Sequence, residues 1–275
     1  MKPEEIEIIR RIVQARSGLV IDPDKTYRIE TCLAPVARRE GFGDISEMIR
    51  DIQTKRNSDL MWTVTESLAN TETSFFRDRA PFQQFREDIL PELAHARDGA
   101  PIRIWSAACS TGQEPYSLAM IVDDEASKYP GLKIELFGSD LSERCLEKAQ
   151  SGLYTQFEVQ RGLPIRLLVR HFEKNDETWS LNPRIRQSVR WRRVNLLADL
   201  TGLGQFDVIF CRNVVSGFDP QVARRVLDQL AAALPEDGRL ILGIEETASD
   251  FTDALRPIAG RRGVYAPNPE FRKAA

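Results

Sequence analysis

Residues 102–117, IRIWSAACSTGQEPYS, pass from an apolar run through a loop of small residues into the start of a helix. Ile102, Ile104 and Trp105 give the β-branched and aromatic character of a strand, predicted over 102–107. Pro115 suits the first turn of a helix beginning at about Glu114. The same alternation continues downstream. Residues 133–139 (KIELFGS) predict a second strand that ends at Asp140, followed by a helix over 142–150. Further strands are predicted at 189–194, 206–211 and 239–243, with a helix at about 220–234 joining the last two. Strands alternating with helices predict an α/β fold, a mainly parallel sheet covered on both faces. Such sheets bind ligands at the carboxyl ends of their strands.

Upstream, residues 1–75 read as an all-α domain. Ile6, Ile9, Ile12 and Val13 share one helical face before Gly18. A second helix is predicted from Lys25 to Glu40, stopping at Gly41. A third covers Ile45 to Thr54, with Met48, Ile49 and Ile52 on its apolar side, and a fourth Leu60 to Leu68. The expected organisation is therefore a helical domain over 1–75 and an α/β domain over 76–275. The interval at about 151–187 is too long for a plain loop and predicts an inserted subdomain, with Phe172 and Trp179 as a minor core.

The 275 residues carry a formal net charge of −3, which argues against a global electrostatic grip on nucleic acid. There are only 2 His, His95 and His171, so a His-rich metal site is excluded and no metal is expected. The 4 Cys (Cys32, Cys109, Cys145, Cys211) form no CxxC pair, and they read as reduced thiols of a cytoplasmic protein. The N-terminal MKPEEIEIIRR lacks the apolar core of a signal peptide. No stretch of about 18 apolar residues exists to cross a membrane.

The loop after the first strand has no GxGxxG and no Walker lysine, so a phosphate cradle is not expected. It carries Glu114 instead, a carboxylate at a helix start that repels phosphate and attracts an ammonium; it could also simply complement the helix dipole. Asp140 closes the second strand, where a carboxylate takes ribose hydroxyls or caps the next helix. A nucleoside with a free ammonium and no phosphate satisfies both residues, and S-adenosylmethionine is such a ligand. Asn195 ends the third strand and Arg212-Asn213 the fourth, at the same rim. Thr71-Glu72-Thr73-Ser74-Phe75-Phe76-Arg77-Asp78 joins the two parts and presents a cation beside a Phe pair.

Several of these segments, in order and spacing, make the chain similar to the chemotaxis receptor methyltransferases, the CheR family. They are Thr73 to Arg77, Trp105 to Ser117, Phe137-Gly138-Ser139-Asp140, Leu146-Glu147-Lys148-Ala149, Ser151-Gly152-Leu153-Tyr154, Val194-Asn195-Leu196-Leu197 and Phe206 to Val214. The resemblance implies an S-adenosylmethionine-dependent methyltransferase, Rossmann-like, with an inserted small β subdomain and a helical N-terminal domain. It implies transfer of a methyl group to glutamate side chains of chemoreceptor cytoplasmic domains, giving γ-methyl esters and S-adenosylhomocysteine. Implied cofactor contacts are Thr73, Arg77, Glu114, Asp140, Asn195, Leu196, Arg212 and Asn213, with Arg77 also the catalytic residue that touches the substrate carboxylate.

The sequence departs from the family pattern in places. Gly217 stands where the family has a Tyr before Phe-Asp. Thr71 follows Asn70 where Thr-Asn is usual, and Cys32 replaces an Arg before Leu-Ala-Pro, although Arg28, Arg38 and Arg39 remain. Gly243-Ile244-Glu245-Glu246 replaces Gly-His-Ser-Glu. The stretch after Phe172 lacks the glycine-flanked insertion that serves docking on a receptor's C-terminal peptide, so that mode is not expected. The alternative motivated by Gly217 is an S-adenosylmethionine-binding regulatory or interaction protein with weak or no catalysis.

Overall fold

The computed structural model describes residues 1–22 and 26–274. The chain divides into two compact units, Met1–Asn70 with Ser216–Ala223, and the remainder from Thr71. The first unit contains α1 (Pro3–Ser17), α2 (Tyr27–Arg39), α3 (Ile45–Lys55) and α4 (Ser58–Leu68). The predicted start of the second helix at Lys25 lies outside the described residues. Gly18 ends α1 in the left-handed conformation, φ 74°. The Asp44 side chain accepts from the Glu47 N–H to cap α3, and Asn57 caps α4. Ile9, Val13, Ile29, Leu33, Met48, Ile49 and Val64 form its core. Segment 216–223 joins this unit: the Val20 N–H donates to the Gly217 carbonyl at 2.8 Å, and Leu19 bridges Phe218.

The second unit begins with α5 (Ala80–Gln84), a π-helical turn (Phe85–Ile89) and α6 (Leu90–Arg97). Then come β1 (Ile102–Ala107), α7 (Gln113–Glu125), β2 (Ile134–Asp140) and α8 (Glu143–Ser151). The inserted region holds β3 (Leu153–Thr155), α9 (Gln156–Gln160), α10 (Ile165–His171), β4 (Phe172–Asn175), β5 (Thr178–Leu181) and α11 (Pro183–Gln187). The chain closes with β6 (Val189–Arg193), β7 (Val208–Cys211), α12 (Pro220–Ala232), β8 (Arg239–Leu242), β9 (Leu255–Pro257), β10 (Val264–Pro267) and α13 (Pro269–Ala274).

The main sheet has the order β6-β2-β1-β7-β8-β10-β9. The five strands predicted from sequence make its parallel part. β10 runs antiparallel to both β8 and β9, an addition that sequence periodicity did not indicate. Ala107 lies opposite Ser139, and Cys211 opposite Leu242. The carboxyl ends of β1, β2, β7 and β8 therefore finish along one rim.

The inserted strands form a second sheet, β3-β5-β4. Its interior differs from the expectation of a separate minor core. Phe172 belongs to the main core, its ring 5.6 Å edge-on from Phe75, while Phe75 lies 5.1 Å edge-on from Tyr154. Each such edge contact adds about 0.5–1.5 kcal/mol beyond area burial. Trp179 is only half-buried, with its indole N–H on Gln156 Oε1. The insert is also tied to α7 by ion pairs of Arg166 and Arg170 with Asp124, and of Arg170 and Arg184 with Asp123.

Gly162 has φ 89°, and a Cβ there would stand 2.1 Å from the Phe75 carbonyl oxygen. Gly162→Ala is expected to lower stability by about 2–5 kcal/mol, the sum of overpacking and left-handed strain, read from the urea midpoint. His171 is buried with no partner at Nε2, and burial holds its pKa below the ordinary 6.5, opposed mainly by the Asp123 carboxylate. The unfolded chain therefore takes the proton first. Stability present above pH 6.5 falls as pH drops from there towards the lowered folded value. His171→Gln should flatten that part of a stability-against-pH curve relative to the natural protein.

Candidate active site

The loop from β1 to α7 is held in an uncommon conformation. Ala108, Ser110 and Gly112 all have positive φ, 56°, 51° and 91°. At Gly112 a Cβ would meet Ala149 Cβ at 2.7 Å, so this glycine serves close packing of α7 on α8. The Asp140 carboxylate fastens the loop. Its Oδ2 accepts from the Ser110 N–H at 2.8 Å, and its Oδ1 from the Ser142 N–H at 2.9 Å. Ser142, not Asp140, caps α8 by accepting from the Cys145 N–H. A carboxylate oxygen can accept from more than one donor, and Asp140 is only half-buried.

Glu114 is buried at the start of α7. Its Oε1 accepts from the Ser106 hydroxyl at 2.8 Å, and its Oε2 from Arg212 Nη1 at 2.9 Å. This is more than complementing a helix dipole. Arg212, just beyond β7, also donates through Nη2 to the Arg77 carbonyl and to Asp78 Oδ2, each at 2.7 Å. The guanidinium lies 5.3 Å from the Phe82 ring centre. Its Nε is buried with no partner. Asn213 follows with φ 60°; its N–H and that of Gly243 both donate to Glu246 Oε2, at 2.7 and 2.8 Å.

Asn195 shapes the turn after β6, its Oδ1 accepting from the Leu197 N–H at 3.0 Å, while Leu196 is buried. The neighbouring Val194 N–H donates to the Asp140 carbonyl. On the segment before α5, Thr73 is half-buried, and the Ser110 hydroxyl donates to the Thr71 carbonyl at 2.8 Å. Arg77 Nη1 donates to the Glu72 carbonyl at 2.8 Å, whereas the Glu72 carboxylate pairs with Arg161. That hydrogen-bonded pairing, with the Arg161 charge, holds the Glu72 carboxyl below the ordinary range.

The structure thus joins Glu114, Arg212 and the main chain of Arg77 directly, and ties Asp140 to the Thr71 end of the Thr73–Arg77 segment through Ser110. It places Asn195 and Leu196 after β6 and Asn213 after β7. Sequence reasoning gave no role to Ser106, Asp78 or Glu246. The available signals were faint: a hydroxyl inside an apolar strand, and an acid next to the key arginine.

Neither buried thiol near the rim is a nucleophile. Burial first, then the Asp140 and Glu114 charges, pushes Cys109 well up; burial and Glu246 do the same at Cys211. Among the described residues no cluster of His, Cys, Asp and Glu could hold a metal ion. Iodoacetamide on the native protein should label Cys32 first, the only one of the four that is not buried, with the others labelling after denaturation. Intact-mass spectrometry counts the adducts.

Two carboxylates at the ends of β2 and β1–α7, no phosphate cradle, and an orphaned buried N–H at Arg212 suit a ligand with ribose hydroxyls, an ammonium and a further acceptor group. The fold and this donor set define a nucleoside-binding α/β domain of the S-adenosylmethionine-dependent methyltransferase class. Residues 71–264 match the family described as CheR methyltransferase, SAM binding domain, and the chain belongs to that family. It is 35% identical over 264 residues to chemotaxis protein methyltransferase 1 of Pseudomonas aeruginosa, covering 94% of this chain and 96% of that one. It is 34% identical to chemotaxis protein methyltransferase 1 of Vibrio cholerae, over 92% and 93% of the two chains. The chemotaxis protein methyltransferase of Escherichia coli is 33% identical, over 88% and 83%.

Proposed function

We propose that this protein transfers the methyl group of S-adenosylmethionine to glutamate side chains on the cytoplasmic domains of chemoreceptors. One observation supports the glutamate substrate above others. Arg77 forms no ion pair among the described residues, although acids flank it on both sides. The Glu72 carboxylate is taken by Arg161 and the Asp78 carboxylate by Arg212. The Arg77 charge acts on Glu72 through space without forming an ion pair, which leaves most of its N–H groups ready for a carboxylate brought by a partner.

Bound S-adenosylmethionine supplies an electrophilic methyl on a cationic sulfur. On this reading Asp140 holds the ribose hydroxyls, Glu114 the ammonium and Arg212 Nε a remaining acceptor, with Thr73, Asn195, Leu196 and Asn213 closing the pocket. Arg77 spends one N–H on the Glu72 carbonyl and keeps others for the substrate carboxylate. A glutamate with a pKa of about 4.3 is ionised at neutral pH. Its oxygen attacks the methyl carbon, a C–O bond forms, the S–C bond breaks and the electron pair stays on sulfur. No proton moves, so no general base is required. The protein's task is orientation and exclusion of water. Pairing with Arg77 makes the carboxylate less nucleophilic, and alignment must outweigh that loss.

Among the described residues no helix is long and apolar enough to cross a membrane. The test is transfer of labelled methyl from the cofactor to receptor cytoplasmic domains of the same organism. Base-labile label on receptor glutamates is expected; cofactor binding without any label favours the regulatory reading. Asp140→Ala should weaken S-adenosylhomocysteine binding by at least about tenfold, or about 1.4 kcal/mol, by calorimetry. Unchanged affinity would confine Asp140 to fastening Ser110 and Ser142.

Gly217 motivates the regulatory alternative. A Cβ there would come 3.0 Å from Leu19 Cδ2, the tip of a flexible side chain that can give way. Gly217→Tyr is expected to raise turnover with cofactor affinity unchanged, and a fall would overturn the idea that the missing Tyr weakens catalysis.

A further inference from the structure

The turn that carries Arg77 is strained. Phe76, Asp78 and Arg79 all adopt positive φ, 48°, 66° and 40°. None is glycine, and such residues cost of order 1–3 kcal/mol each unless their surroundings hold them. Three fastenings do so. The Phe76 N–H donates to Ser117 Oγ at 3.0 Å, and that hydroxyl donates on to the Gln113 carbonyl at 2.6 Å. The Phe76 ring packs edge-on against Phe82, 5.4 Å between centres. The third is Arg212 Nη2, which donates to both the Arg77 carbonyl and Asp78 Oδ2 at 2.7 Å.

We infer that Asp78 is a positioning residue for methyl transfer, acting through Arg212 to set the place from which the Arg77 side chain projects. This rests on the reading of Arg77 as the group that receives the substrate carboxylate. The Arg212 guanidinium has two ends. Nη1 is fixed by Glu114, which Ser106 holds independently of Asp78. Nη2 is fixed by Asp78, and a charge-assisted bond there sets the orientation of the N–H on the Arg77 carbonyl. Without the Asp78 charge, the Glu114 end stays anchored and the Arg77 end is free to turn. Alignment of the substrate should therefore suffer while the cofactor side stays intact. The Asp78 side chain is 24% exposed against 2% for Arg212, so neutralising Asp78 leaves no charge stranded in the core beyond one still paired with Glu114.

The test is Asp78→Asn in the full-length protein, with Asp78→Glu, Arg77→Ala and the double variant Arg77→Ala/Asp78→Asn. Asp78→Asn should lower kcat about 10- to 100-fold, by analogy with the loss seen when a group that orients a metal ligand is removed. Its S-adenosylhomocysteine affinity should stay within about threefold and its thermal midpoint close to that of the natural protein, and Asp78→Glu should recover much of the loss. The double variant should be no slower than Arg77→Ala alone, because Asp78 acts through Arg77. Natural kcat in Asp78→Asn, a parallel loss of cofactor affinity, or additive losses in the double variant overturn the inference. If Arg77→Ala itself keeps natural kcat, the role given to Arg77 fails instead, and the two failures are told apart within one data set. Should Asp78→Asn fold poorly, Asp78→Ser under the same comparison gives the same reading.

Discussion

The buried guanidinium of Arg212 is the interaction on which the second unit's site depends. Its side chain is 2% exposed and lies against two carboxylates, Glu114 and Asp78, and one carbonyl. Desolvating an arginine is costly, and pairing offsets that cost only where geometry is good and other polar groups are satisfied. Here both terminal nitrogens are spent, and the Phe82 ring lies 5.3 Å away. Removing Arg212 would leave the buried Glu114 carboxylate without its counter-charge, a loss of about 3–5 kcal/mol. The arrangement is therefore specific: the end of β7, the start of α7 and the Arg77 turn must take up one mutual geometry.

That fixed geometry makes the strained backbone tolerable. Positive φ occurs at Ala108 and Ser110 on one side of the cluster and at Phe76, Asp78 and Arg79 on the other. Three of them are held by a bond from a more rigid element: Asp140 at the end of β2 holds Ser110, Ser117 within α7 holds Phe76, and Arg212 after β7 holds Asp78. Strain maintained in this way fixes side-chain directions before any ligand arrives. On the proposed mechanism, where the protein's tasks are alignment and water exclusion, such preorganisation counts most.

The parallel sheet was legible in the sequence to within one or two residues, because buried strands are short apolar runs bounded by turn residues. β9 and β10 were not, since three- and four-residue strands containing proline carry too little pattern. The insert was legible as a length that no loop accounts for. Its packing was not, because Phe172 finds Phe75, a partner far away in sequence. The site was legible in a similar way. Asp140 and Arg212 stood out as charged residues at strand ends, and Glu114 as one at a helix start. Their local duties stayed hidden, because Ser106, Asp78 and Glu246 acquire meaning only when folding brings them alongside.

The charges around Arg77 form a pattern that stability alone does not require. Two acids lie close to it in sequence, and either could have neutralised it. Each is instead drawn off by another arginine, Glu72 by Arg161 and Asp78 by Arg212. Arg77 binds the Glu72 main-chain carbonyl, which fixes its direction without cancelling its charge. A surface arginine paired with its own neighbour would have to give up that pair before accepting a substrate carboxylate, and the exchange would bring little net attraction. On the proposed reading of Arg77, leaving the neighbours paired elsewhere lessens that competition, with only a through-space pull on Glu72 remaining. The same logic accounts for the idle histidines. With His171 buried at the end of α10 and His95 in α6, neither belongs to this cluster, and the proposed reaction between an ionised carboxylate and a sulfonium methyl gives them no proton to carry.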